Sequence, residues 1–134
     1  MDYKKEYKRW LVKAIDAAIK AELEKMDEAA IEDAFYRDLA FGTGGLRGTI
    51  GAGTNRMNVY VVAKASQGLA NYLLSTTTAP SVVIGYDSRI KSDVFAKTAA
   101  GVFAANGITV HFWPKLFRFQ PFLLLPAIST LLLV

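Results

Sequence analysis

An α/β fold is predicted for this sequence: a layered sheet built on a parallel strand–helix–strand unit, preceded by an N-terminal helical extension. Three observations carry that expectation. Residues 3–39 repeat apolar side chains at helical spacing, and a short continuous apolar run, Val82–Gly85, and a second strand pattern, Ile108–Phe112, flank another helical pattern. The chain has 134 residues, 52% of them hydrophobic, which is enough for one core and too little for a multidomain enzyme.

The first stretch places Tyr7, Trp10, Leu11, Ala14, Ile15, Ala18 and Ile19 at spacings of three and four with charges between them, and Ile31, Ala34, Phe35 and Leu39 follow an acidic break at Met26–Glu28. This predicts an amphipathic helix pair over residues 1–40. Mixed charge on its polar side argues against a membrane-surface helix, which would carry a basic one.

Residues 41–58 hold Phe41-Gly42-Thr43-Gly44-Gly45-Leu46-Arg47-Gly48 and then Thr49 to Asn58, with 6 of the chain's 10 glycines inside twelve positions. Such a segment makes neither a regular helix nor a central strand. Glycine lets a ligand approach the backbone closely, and consecutive free N–H groups form a concavity for an anion. Thr43, Thr49, Thr54, Asn55, Arg47 and Arg56 would complete a phosphate-binding loop, since arginine binds phosphate through two parallel hydrogen bonds. A plain connector between helices is the alternative reading. The segment is neither a G-x-G-x-x-G fingerprint after a strand nor a P-loop, because Gly53 is followed by Thr54.

Asn58 reads as a helix start, with Val59, Val62, Ala63, Leu69, Ala70 and Leu73 on one face and the polar turn Ser75–Pro80 closing it. Val82–Gly85 reads as a strand buried on both faces. Tyr86-Asp87-Ser88-Arg89 lies at its carboxyl end, where parallel sheets place ligands; a helix-capping turn with an Asp–Arg pair is the alternative. Ser92 or Asp93 caps a helix through Phe103 to the stop Asn106-Gly107, and Ile108–Phe112 forms the second strand. After Trp113 the pattern fails: Pro114, Pro121 and Pro126 interrupt Leu/Phe runs and neither periodicity survives. As a membrane span the tail is poor, with 16 uncharged residues after Arg118, short of the ~20 needed.

Composition removes several functions. No cysteine means no disulfide, thiolate metal site or cysteine nucleophile, and the lone His111 rules out a histidine-based metal cluster. The net charge of +4 has no basic–aromatic stripe behind it, so a nucleic-acid partner is not expected. The N-terminus shows no secretory signal, and the reading is a cytoplasmic protein.

FGTGGLRGTIGAGTNRMN, then ASQGLANYL, then VVIGYDSR closely resemble, in order and spacing, the N-terminal domain of the α-D-phosphohexomutases, the phosphoglucomutase and phosphomannomutase branch. The resemblance covers about Tyr3 to Val110. It implies a phosphohexomutase domain I and, in the intact family, a four-domain cytoplasmic enzyme of carbohydrate metabolism. That enzyme is a Mg²⁺-dependent isomerase of the phosphotransferase type, moving a phosphoryl group between the 1- and 6-positions of a hexose through a phosphoserine. On this sequence Arg47 would stabilise the phosphoserine charge as the catalytic residue. Thr43, Gly44 and Gly45 would shape the phosphate-binding loop with it, and Asp87 and Arg89 would support that loop. The hexose phosphate is the expected ligand; no site for Mg²⁺ is expected here.

Where the family continues into Thr-Ala-Ser-His-Asn-Pro, whose serine carries the phosphate, this sequence has no such motif, and Ser129 lacks the following His and Asn. No Asp-x-Asp-x-Asp-like cluster occurs either. The expectation is a fragment: residues 1–40 a helical extension, 41–112 a partial and incomplete domain I, and 113–134 an aberrant Leu/Phe/Pro-rich tail from a reading-frame change. Such a chain is expected to be inactive alone. A non-catalytic sugar-phosphate-binding module and a tail-held membrane protein are the alternatives, and nothing in the sequence specifies hexose preference or oligomeric state.

Overall fold

A computed structural model describes residues 2–43, 45–112 and, for the backbone, 130–133. The chain forms two compact units, Met1–Val61 and Val62–Val134.

In the first unit three helices, α1 (Tyr3–Lys13), α2 (Ala17–Leu23) and α3 (Glu28–Phe35), stand where two were expected. The additional break comes from Asp16, whose carboxylate accepts from the Ile19 N–H at 2.9 Å and caps α2, while Ala14 turns extended. Two N–H groups freed at the break, of Ile15 and Asp16, donate to the Tyr60 hydroxyl at 2.7 and 2.8 Å. Ile15 therefore leaves the apolar stripe and is 91% exposed. Asp2 and Asp27 cap α1 and α3 in the same way. The core gathers Trp10, Ile19, Leu23, Ala34, Phe35 and Ala52. Phe35, fully buried, receives Tyr7 and Trp10 edge-on at centroid distances of 5.8 and 5.5 Å, and Trp10 meets Tyr60 at 5.3 Å.

The glycine-rich segment follows. Strands β1 (Phe41–Gly42) and β2 (Gly45–Leu46) pair antiparallel with Phe41 opposite Leu46. Beyond them the chain winds back on itself through a bridge between Ile50 and Met57.

Helix α4 (Val59–Thr76) leads into the second unit, burying Val62, Ser66, Ala70 and Leu73. Strand β3 (Ser81–Gly85) is buried from Val82 onward, matching the apolar run. Helix α5 (Ser92–Ala105) ends at Gly107, whose φ of 74° lets the N–H groups of Gly107 and Ile108 fold back onto the carbonyls of Ala104 and Phe103. Ile108 and Phe103, joined by this backbone bond, are both buried, as the residues around such a helix end commonly are. Strand β4 (Thr109–Phe112) then pairs parallel to β3, Val82 opposite Val110.

One expectation fails here. The cap of α5 is not Ser92 or Asp93: Lys91, at φ 62°, occupies the position without a side-chain bond, because the Ser92 hydroxyl accepts from the Asp87 N–H at 3.1 Å. Strand β5 (Thr130–Leu133) pairs parallel along the other side of β3, giving the order β4-β3-β5. A continuous apolar run such as Leu131–Leu133 is the pattern of a parallel strand. The rest of the stretch assigned to the aberrant tail, 113–129 and 134, lies outside the described residues.

Candidate functional site

The glycine-rich segment divides at Gly51. The described residues from Phe41 to Ile50 are exposed apart from half-buried Leu46, whereas Gly51 to Asn55 and Asn58 are buried. Burial in the second part is matched by internal hydrogen bonds. The Thr54 hydroxyl donates to the Arg37 carbonyl at 2.7 Å and its carbonyl accepts from the Leu39 N–H. Asn55 donates through its backbone to the Ala34 carbonyl and through its side chain to that of Asp33, and accepts from the Arg37 Nε at 3.2 Å. Arg56 pairs with Asp33. Thr54, Asn55 and Arg56, read as possible anion ligands, thus build the turn, and none is free for a phosphate.

Asn58 closes this turn. Its Nδ2 donates to the carbonyls of Gly51 and Gly53 at 2.8 and 2.9 Å, and its Oδ1 accepts from the N–H groups of Tyr60 and Val61, capping α4. Gly53 has φ 124° and lies so close to α3 that a Cβ would stand 2.6 Å from the Ala34 carbonyl oxygen.

The first part is built differently. Thr43 stands in the turn of the β1–β2 hairpin, Gly45 (φ 94°) opens β2, and Arg47 follows it; Gly44 lies outside the described residues. No atom comes within 4 Å of a Cβ added at Gly45. Among the described residues the Arg47 guanidinium has no ion pair or hydrogen bond, and the backbone N–H groups of Arg47, Gly48 and Thr49 have no acceptor. An exposed guanidinium beside consecutive unsatisfied N–H groups is an arrangement that accepts an oxyanion.

In the second unit, Asp87 and Arg89 meet at the carboxyl end of β3. The Asp87 carboxylate accepts from the Arg89 backbone N–H at 3.0 Å and from its Nε at 2.9 and 2.7 Å. The Arg89 N–H first, then the guanidinium and the Ser92 hydroxyl, hold the Asp87 carboxyl below the usual carboxylate range against the opposing effect of burial. This turn links β3 to α5 and places Arg89 with its side chain largely exposed.

Among the described residues no group of three or more His, Asp or Glu gathers as a metal site, so no ligand set for a cation can be named from them. No described helix is long and apolar enough to cross a membrane.

Residues 38–132 match the family described as phosphoglucomutase/phosphomannomutase, alpha/beta/alpha domain I. The chain belongs to this family. The phosphoglucomutases of Staphylococcus aureus strains USA300 and NCTC 8325 / PS 47 are each 37% identical over 112 residues, and that of strain bovine RF122 / ET3-1 is 38% identical. The match covers 84% of this chain and 20% of each relative, so the chain spans about a fifth of the length of the curated relatives it matches. No solved structure matches the chain.

The family match contains both the hairpin with Arg47 and the turn with Asp87 and Arg89. It also runs through most of the stretch read as an aberrant tail.

Proposed function

We propose that this domain supplies the phosphate-holding loop of a phosphohexomutase, an isomerase that interconverts hexose 1-phosphate and hexose 6-phosphate through a phosphoserine. The observation that carries the reading is the Arg47 guanidinium, unpaired among the described residues, together with the N–H groups of Arg47, Gly48 and Thr49, which have no acceptor among them. In phosphoryl transfer the protein contributes mainly position and charge neutralisation. Arg47 performs the second of these, its planar fork meeting two oxygens of a phosphate. Thr43, Gly44 and Gly45 keep the loop small enough for a phosphate to reach the backbone. Asp87 fixes Arg89 within its turn, and the pair has a supporting role rather than a part in the chemistry.

The family is Mg²⁺-dependent, and the bound cation supplies charge neutralisation at the phosphoryl oxygens. Among the described residues no group of three or more His, Asp or Glu gathers to name as its ligands. The serine that carries the phosphate has no counterpart motif in these residues, so the 134-residue chain on its own binds a sugar phosphate without turning it over.

Calorimetry with glucose 1-phosphate tests the binding, and a coupled mutase assay with Mg²⁺ and a hexose bisphosphate tests the inactivity. Arg47→Ala is expected to weaken binding at least about tenfold, the worth of a charge-assisted hydrogen bond or more. Equal binding by parent and variant would remove Arg47 from the site, and turnover above background would overturn the inactivity.

A further inference from the structure

The corner where α5 ends carries a chemistry that the phosphate loop does not use. Asn106-Gly107 is a dipeptide prone to spontaneous deamidation, because glycine leaves its own backbone nitrogen unhindered. The reaction is balanced without a co-reactant other than water. The Gly107 nitrogen attacks Asn106 Cγ and loses its proton, the Cγ–Nδ2 bond breaks with release of ammonia, and water opens the resulting succinimide to an aspartyl or isoaspartyl residue.

Here every participating group is held. Both protons of Asn106 Nδ2 are used, one on Gln67 Oε1 at 2.9 Å and one on the Val102 carbonyl at 2.8 Å. Its Oδ1 accepts from Gln67 Nε2 at 2.9 Å, so the two amides form a reciprocal pair between α4 and α5. The attacking Gly107 N–H donates to the Ala104 carbonyl at 3.0 Å, and the Ile108 N–H after it is fixed on the Phe103 carbonyl. Asn106 ψ is 8°, within the helix-ending turn, and the nitrogen must swing out of that turn to reach Cγ.

We infer that Asn106-Gly107 is a latent deamidation site that Gln67 keeps closed. The product would not fit the corner it came from. A carboxylate at residue 106 has no proton for the Val102 carbonyl or for Gln67 Oε1, and it adds negative charge at the negative end of α5. An isoaspartyl linkage lengthens the backbone where Gly107 and Ile108 must reach Ala104 and Phe103. Conversion is therefore a one-way loosening of the turn that leads into β4.

The experiment follows the amide-to-acid mass increase of the peptide containing residue 106 in the full chain, held in mildly alkaline buffer, native and in urea. The native chain is expected to convert about a hundredfold more slowly than the unfolded one, the ratio reporting how seldom the corner opens. Gln67→Ala removes two hydrogen bonds from Asn106 at an exposed helical position that favours alanine, and should convert about tenfold faster than native while still folded. Asn71→Ala removes only the other partner of Gln67, at 2.8 Å, and should match the native rate. Native conversion as fast as that in urea, or a folded Gln67→Ala chain no faster than native, would overturn the inference. If Gln67→Ala unfolds, Gln67→Glu decides: it keeps the acceptor for Nδ2 and loses the donor to Oδ1, so a folded chain with no acceleration overturns the proposal equally.

Discussion

Arg47 and Arg56 belong to one glycine-rich segment, yet one is exposed without a partner among the described residues and the other is paired with Asp33. The surroundings differ as much as the arginines. Gly51 to Asn55 is a buried turn whose carbonyls and amides are answered by Asp33, Ala34, Arg37 and Leu39, while the described residues of the Phe41 to Gly48 hairpin are largely exposed, Phe41 being 69% exposed. Loops of one composition therefore divide into a part that holds and a part that is held. What separates them is whether neighbouring backbone satisfies their polar groups.

The contrast can be broken most directly at its glycines. Gly53→Ala is expected to cost about 3 kcal/mol, combining a positive φ with overlap against the backbone of Ala34. Asn58→Ala should follow at about 2 kcal/mol, through loss of the α4 cap and two unanswered carbonyls. Gly45→Ala, with φ 94° but open space around it, should cost about 1 kcal/mol. Urea unfolding of the three variants checks this order, and a Gly45→Ala loss equal to that of Gly53→Ala would dissolve the distinction between the two parts.

Smaller effects sharpen it. The Asp87 carboxyl is held below its ordinary value in the folded chain, so its stabilisation is present above the unfolded value and disappears as pH falls through the folded one. Asp87→Asn should flatten the acid limb of a stability–pH curve by less than about 1 kcal/mol, since the pair is partly exposed. An unchanged acid limb would show that the Asp87–Arg89 turn adds nothing to folding. Smallest of all, Arg47→Ala should leave the urea midpoint within about 0.5 kcal/mol of the parent even as ligand binding falls, because no described residue leans on that side chain.

Much of this was legible from periodicity. The apolar spacing located α4, β3, α5 and β4 within a residue or two, and Asn58 and Gly107 announced the start of one helix and the end of another. The break between α1 and α2 was signalled by Asp16, a capping residue ahead of Ala-Ala-Ile. Its other cause was not readable, because the hydroxyl that receives the freed N–H groups comes from Tyr60, far along the chain. The division of the glycine-rich segment was hidden for the same reason. Thr54 and Asn55 look like ligands until the carbonyls of Arg37 and Asp33 are brought beside them. The capping of α5 likewise depended on Ser92 turning to the Asp87 N–H.

The hydrogen bonds of the Asn58 amide tie the exchange of amide hydrogens with solvent in α4 to the state of the turn before it. Tyr60 and Val61 cannot release theirs separately: when the turn opens, the cap opens with it, and both exchange as one cooperative group. The exposed hairpin is outside that group. Its sequence is free to be reshaped around a different anion while the first turn of α4 keeps its protection.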